Sequence, residues 1–507
     1  MSQTDHPAPS PDIPKIAAPA RRMNNSGLAK RRARAALSAL FIAALTAIHS
    51  LPAKADAPPS TASSAEAAPK LAIPFEKYSL SNGLTVILHE DRTLPLVTVN
   101  LSVKVGSRHE EPRRTGFAHL FEHLMFMGTK RVPTKMFDGW MEIEGGWNNA
   151  FTSEDRTGYY DVGPAHILPL LLWMEADRFA SLSADMTLEK LNAQRDVVRN
   201  ERRQTVENQP YGKVELRLPD LMYPEGHPYH HPVIGSHEDL QAATVEDVKN
   251  FFGRWYVPNN LSLVVAGDFD SKAIKPTIER IFGSIPRGVV PAAPKATEAK
   301  LAKVVRETIP DNVKLPKVVM AWHSPARYAP GDAEMDLCST ILQEGKASRL
   351  YKALVYDKSL AQEVHAFQYS GDLGSFFSIE AIARPDVPIE KLEAAIDEEV
   401  AIITKSAVSA QELKRAQNQY ETSFVERLQS IFQRASMLNQ YETQKGDPGY
   451  ADKDLERYRK VTPEGILNVA KTVLNPNARV ILHVVPKDAP PGDAQKKPAA
   501  TAKGAAK

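Results

Sequence analysis

The sequence predicts an α+β protein of two related domains, each a mostly antiparallel sheet packed with helices. Three observations carry that prediction. The first is an internal repeat, which sets the architecture before any local feature does. Thr244-Val245-Glu246-Asp247-Val248 opens a helix, and fourteen residues after Thr244 comes Pro258-Asn259-Asn260, leading into Leu261-Ser262-Leu263-Val264-Val265. In the second half Thr462-Pro463-Glu464-Gly465-Ile466 opens a helix, and fourteen residues after Thr462 comes Pro476-Asn477, leading into Val480-Ile481-Leu482. The offset is 218 residues. Both copies use a threonine N-cap and a Pro-Asn turn before a β-rich run. The second observation is a set of strand-like runs near the start of each half, 85–88 and 97–105 in the first and 317–323 in the second. The third is the longer helical stretches between strands, such as 168–182 and 388–404.

In chain order, residues 1–55 have the three-part layout of an export signal. Lys30-Arg31-Arg32-Ala33-Arg34 is basic, 35–51 is apolar, and Ala53-Lys54-Ala55 offers a small-x-small cleavage site. A spanning helix needs about 20 strongly apolar residues. This alanine-rich run is shorter and weaker, so no stable membrane span is expected once the signal is removed. A mitochondrial presequence is the competing reading, since no acidic residue occurs between Asp12 and Asp56. The arginines stop at Arg34 instead of lining an amphipathic face, which favours a periplasmic or secreted location. Met23 is an alternative start. Residues 56–70 form an Ala/Pro/Ser-rich leader and 71–286 the first domain. Residues 287–305, with Pro291 and Pro294, form a linker, 306–486 the second domain, and 487–507 an Ala/Lys/Pro tail expected to be disordered.

The composition narrows the function classes. Of 507 residues, 43% are hydrophobic and 24% charged, an ordinary globular balance. The 63 basic and 61 acidic side chains leave a formal charge of +2, so nothing favours nucleic acid as a partner. Cys338 is the only cysteine, which excludes an intramolecular disulfide and a cysteine-based zinc ribbon. Its amphipathic surroundings, Met335 to Leu342, predict a buried structural thiol.

Chemistry concentrates in Gly116-Phe117-Ala118-His119-Leu120-Phe121-Glu122-His123-Leu124. On a helix His119 and His123 lie one turn apart on one face, their Cβ atoms about 5–6 Å apart. Two imidazoles at that spacing can bind one zinc ion at about 2.0–2.1 Å each. Glu122 sits beside such a metal without ligating it, where a general base must be to take a proton from the attacking water. The spacing is the reverse of His-Glu-x-x-His and is a zinc-enzyme signature. Two ordinary histidines on a helix would give the same spelling. The apolar flanks argue against that, because ionisable groups on a hydrophobic helix need a partner. A catalytic zinc needs a third protein ligand and an open fourth position. Glu201 is the candidate, because it shares one side of a helical stretch with Val197 and Val198.

Residues 116–129 resemble the inverted zinc motif of the pitrilysin/insulysin family of metallopeptidases, which includes the mitochondrial processing peptidase. That resemblance implies one zinc per chain, held by His119, His123 and Glu201, with Glu122 as catalytic base. Gly145-Gly146-Trp147-Asn148-Asn149-Ala150-Phe151-Thr152-Ser153 resembles the family's edge strand that pairs with the substrate backbone, which implies substrate-binding roles for Asn149, Ala150 and Thr152. Trp255 to Asn260, Ala266-Gly267-Asp268 and Ala347 to Tyr351 are also similar to the family. The implied fold is two metallohydrolase-like α+β domains forming one half of a clamshell around an unfolded peptide. Two departures stand out. Where the family often has a second glutamate supporting the metal, this chain has Gln194, an amide that can still hydrogen-bond near the ligands. The family's substrate-positioning arginine and tyrosine correspond to Val355 and Gln362, neither of which can do that work.

The remaining candidates are structural. His227, His230 and His231 lie among prolines and predict an ordered loop, and His109-Glu110-Glu111 predicts a solvated charge run. The expected function is a zinc endopeptidase acting on extended peptides, completed by a related subunit that supplies the arginine and tyrosine. A structural or chaperone-like subunit of the same fold is the alternative.

Overall fold

A computed structural model describes residues 71–487, so the expectations for 1–55, for 56–70 and for the tail beyond Lys487 lie outside the described residues. Among the described residues no helix is long and apolar enough to cross a membrane. The first half contributes strands β1 (Glu76–Ser79), β2 (Thr85–Glu90), β3 (Leu96–Val103), β4 (Trp147–Thr152), β5 (Thr157–Pro164) and β6 (Leu261–Gly267). The second contributes β7 (Val305–Asp311), β8 (Lys317–Ser324), β9 (Ala361–Tyr369), β10 (Ser375–Ala383) and β11 (Val480–Pro486).

The two sheets run β1-β2-β6-β3-β5-β4 and β7-β11-β8-β10-β9. Without β1 the orders are the same: first strand, last strand, second, fourth, third. In each sheet the last strand runs parallel to the first, β6 with β2 and β11 with β7, and every other pair is antiparallel. The repeated segments occupy equivalent places. Thr244 Oγ1 accepts from Asp247 N at 3.1 Å and starts the Val245–Trp255 helix before β6. Thr462 Oγ1 accepts from Gly465 N at 3.0 Å and starts the Pro463–Val473 helix before β11. Residues 283–304 form no helix or strand.

The packing is not confined to each half. The Lys213–Met222 helix of the first half lies on the second sheet, where Val214, Leu218 and Met222 pack with Val319, Ala321, Val480 and Leu482. The Ile431–Lys445 helix of the second half lies on the first sheet, where Ala435, Leu438 and Tyr441 pack with Ile87, Val264 and Ala266. Its buried Asn439 Nδ2 donates to Asn100 O at 2.9 Å and Asn100 Oδ1 at 2.6 Å, so the amide's polarity is met inside the apolar contact. Lys213 and Ile431, the starts of these two helices, are again 218 residues apart. The halves therefore exchange equivalent helices, and part of each sheet's apolar surface is covered from the other half. Cys338 is buried in the Asp332–Gln343 helix, where desolvation pushes its thiol up to about 12.

Candidate metal centre

The Phe117–Leu124 helix begins at Gly116, whose φ of 86° is left-handed and whose surroundings leave no room for a side chain. A Cβ there would meet Ile234 O at 2.8 Å and Gly235 Cα at 2.9 Å. Glu110 caps the helix from outside it. Its Oε2 accepts from Gly116 N at 2.9 Å and its Oε1 from Ala118 N at 2.7 Å, satisfying two of the four free N–H groups of a helix start. The expected solvated run at 109–111 is therefore corrected. His109 is buried with its ring 4.7 Å from that of Trp255, the Glu110 side chain has no exposed surface, and only Glu111 reaches solvent, paired with Arg254. Glu110 is covered by the nearby helix start and by His231, and His109 by Trp255, contacts that no local charge pattern shows.

Phe117, Leu120, Phe121 and Leu124 bury the inner side of the helix, and the Phe121 ring lies 4.5 Å from that of Tyr256. The opposite face carries both histidines. Their Nε2 atoms are 3.2 Å apart and their rings nearly perpendicular, at 89°. Glu201 closes the Leu188–Glu201 helix, with Oε2 3.1 Å from His123 Nε2 and Oε1 3.8 Å from His119 Nε2. From there the helix continues as a π-helical segment, Arg202–Glu207, a form that recurs at functional sites.

This arrangement suits a metal. Donors about 2.0–2.1 Å from one tetrahedral ion sit roughly 3.3–3.4 Å from each other, and the three observed separations bracket that value. Burial, then the neighbouring His123, pushes His119 down to about 4, so it stays in the neutral, ligating form. The hydrogen bond with His123 holds Glu201 below its ordinary range, so it stays anionic. Two imidazole nitrogens and one carboxylate are the donor set of zinc enzymes. The side chains of His123 and Glu201 remain 23% and 34% exposed, which leaves one side of the cluster open. His119 Nδ1 is buried without a partner among the described residues. Glu207, in contrast, turns away to Arg202 at 2.8 Å and His237 at 3.0 Å. Glu201→Gln is accordingly expected to release zinc under mild chelation far more readily than Glu207→Gln, read as zinc per chain after dialysis. Equal retention would remove Glu201 from the ligand set.

Glu122 is buried beside the cluster and bonds to none of its members. Its Oε2 accepts from Thr152 Oγ1 at 2.6 Å, and burial raises its pKa. The Thr152 hydroxyl, expected to serve substrate, is thus engaged by Glu122. Gln194 bonds the segment that follows the histidine helix. Its Nε2 donates to Met127 Sδ at 2.7 Å and reaches none of His119, His123 or Glu201. β4 forms the outer edge of its sheet. Asn149 is exposed there, and its Oδ1 accepts from Ala150 N at 2.8 Å, so that edge donor is held by a side chain.

The β4–β5 turn is held by residues that sequence reasoning missed. Asp155 Oδ1 accepts from Arg108 Nη1 at 2.8 Å and from the Tyr229 hydroxyl at 2.5 Å, while its Oδ2 accepts from Asp372 N at 3.1 Å. Glu154 Oε2 accepts from the Tyr369 hydroxyl at 2.7 Å. The loop of three histidines helps to place Tyr229, since His227 Nδ1 accepts from Tyr229 N at 3.0 Å and His230 Nδ1 bonds Tyr223 O at 2.8 Å. Val355 is buried in the second half's core and Gln362 lies exposed on β9. No signal in sequence announces Asp155, because its partner Asp372 is 217 residues away.

Glu110 gives a pH test of the helix cap. Burial pushes it up to about 8, against about 4.3 in an unfolded chain. Its folded value is the higher one, so its contribution to stability is full below pH 4.3 and is lost as pH rises through about 8. Between pH 5 and 9 the wild-type urea midpoint is expected to fall relative to that of Glu110→Gln. Parallel curves would mean that Glu110 is ionised throughout.

Comparison with known proteins follows the same outline. Residues 85–232 match the family described as Insulinase (Peptidase family M16), and residues 242–420 match the Peptidase M16 inactive domain. The zinc protease PqqE of Helicobacter pylori is 30% identical over 385 residues, spanning 74% of this chain and 85% of that protein. A crystal structure of a protease from Helicobacter pylori superposes with a TM-score of 0.76 at 27% identity, over 82% of this chain and all of that one. The periplasmic protease PqqL of Escherichia coli gives a TM-score of 0.67 at 19% identity, over 83% of this chain but 49% of that one, a likeness of fold alone.

Proposed function

This chain belongs to the insulinase (M16) family of peptidases, and from that premise we propose that it is a zinc-dependent endopeptidase that hydrolyses extended or unfolded peptide segments. One observation carries the reading. A buried carboxylate, Glu122, stands beside a His/His/Glu cluster without bonding to it, at the end of an exposed strand edge.

His119, His123 and Glu201 would hold the zinc, which when bound polarises the scissile carbonyl and makes water a nucleophile near neutral pH. Glu122 takes the proton of the attacking water and passes it to the leaving amine. Its burial favours the neutral acid and so suits it to both duties. Thr152 fixes the carboxyl by donating to it. The peptide backbone pairs along β4, displacing the Asn149 side chain from Ala150 N.

The chain is read as the catalytic member of a heterodimer, because Val355 has no donor and Gln362 no guanidinium or phenol to set against the developing oxyanion. Its match to about half of the PqqL chain fits one half of a larger assembly. The layout of residues 1–55 supports export to the periplasm. The alternative is a non-catalytic structural or chaperone-like subunit of the same fold, which has no use for a base beside the cluster. Zinc content and cleavage of an unfolded, quenched peptide separate the two. Close to one zinc per chain is expected, with cleavage lost on chelation and regained on zinc addition. A zinc-free chain that binds but never cuts peptides, alone or with its partner, would establish the alternative.

A further inference from the structure

We propose that Trp147, Tyr160 and Phe432 form a side-chain subsite on the rear face of β4 that selects an apolar residue in the substrate, an inference that rests on the peptidase reading above. Side chains alternate across a strand, so β4 has two faces. Thr152 reaches Glu122 and Asn148 reaches Asp138 at 3.0 Å, which puts the even-numbered residues on the side of the catalytic helix. Trp147, Asn149 and Phe151 occupy the other side.

There Trp147 is 48% exposed, more than most large apolar residues of the described structure. It meets Tyr160 at 5.9 Å and Phe432 at 5.6 Å, both edge-on, and Tyr160 and Phe432 lie 4.6 Å apart. Phe432 comes from the Ile431–Lys445 helix that the second half lays across the first sheet, so both halves build the cluster. An exposed tryptophan fixed between two aromatic rings is the composition of a binding hot spot.

The free edge of β4 identifies the occupant. A peptide added to that edge places the residue opposite Trp147 on the same face, with Cβ atoms about 4.5–5.5 Å apart. That residue lies five positions from the one opposite Thr152, about 17 Å along the strand. A leucine, phenylalanine or methionine there would cover the exposed indole. Burying such a side chain favours binding by about 10- to 100-fold over a charged one. The site would therefore read sequence well away from the scissile bond.

The test uses the full-length, zinc-loaded Glu122→Gln chain, which holds peptides without cutting them. The probes are fluorescent 14-residue Gly/Ser peptides in which one phenylalanine is moved stepwise along the sequence. Affinity is expected to peak at one position by at least 10-fold. Trp147→Ala should flatten the peak without changing affinity for the phenylalanine-free peptide, Phe432→Ala should do the same, and Trp147→Phe should restore most of it. An equal loss for all peptides, phenylalanine-free included, would show a merely structural cluster and overturn the subsite. So would an unchanged peak in Trp147→Ala accompanied by loss of a wild-type dimer, since the patch would then cover a second copy. Binding of peptides without any preferred position overturns the subsite and leaves the peptidase reading intact. No binding of any peptide overturns both.

Discussion

Glu122→Gln is expected to lower kcat by about 10²–10⁴, the usual cost of removing a general base, while the protein folds and keeps its zinc. The substitution replaces an oxygen with a nitrogen of nearly the same size. The amide carbonyl can still accept from Thr152 Oγ1, which now meets Glu122 Oε2 at 2.6 Å, so the local packing survives. What is lost is the ability to accept a proton and return it. Because Glu122 makes no bond to His119, His123 or Glu201, metal content should be unchanged. The measurement is turnover of a quenched peptide, with zinc per chain and the thermal midpoint recorded on the same preparation. Wild-type turnover by the variant would end the assignment of Glu122 as base. Loss of zinc would instead make it a ligand.

The purified chain alone is expected to cleave peptides poorly, and a related subunit lacking the His-x-x-Glu-His motif but bearing an arginine and a tyrosine should raise kcat by about 10²–10³. That factor is what a single oxyanion donor contributes in a water-poor site. Val355 lies in the apolar core of the second half and cannot turn outward, and Gln362 presents an amide where the family uses a phenol. The cleft of a clamshell also needs a second wall to exclude water from the peptide. The assay is a titration of this chain with the candidate subunit, with mass measured in the same buffer. Efficient cleavage by a monomer or a homodimer would exclude the heterodimer, since neither could bring the missing side chains.

The candidate metal cluster was partly readable in the sequence because two of its members are written at short range. His119, Glu122 and His123 sit within one helical turn and a half, where spacing alone sets direction, and the repeated Thr…Pro-Asn segments mark equivalent helices and strands by local capping and turn rules. The duplicated sheet order followed from that repeat. Only the tertiary structure could decide what buries what. Glu110 looks like part of a charged run until it is seen to cap the start of the Phe117–Leu124 helix, and the partner of Gln194 is seen to be Met127 Sδ. Asp155 binds a residue 217 positions away. The two halves exchange equivalent helices, so the domain boundary along the chain is not a boundary in packing. Sequence patterning reports which side of an element is apolar, through the periods of helix and strand. It carries no record of which distant surface covers that side, because burial depends on separation in space and not along the chain.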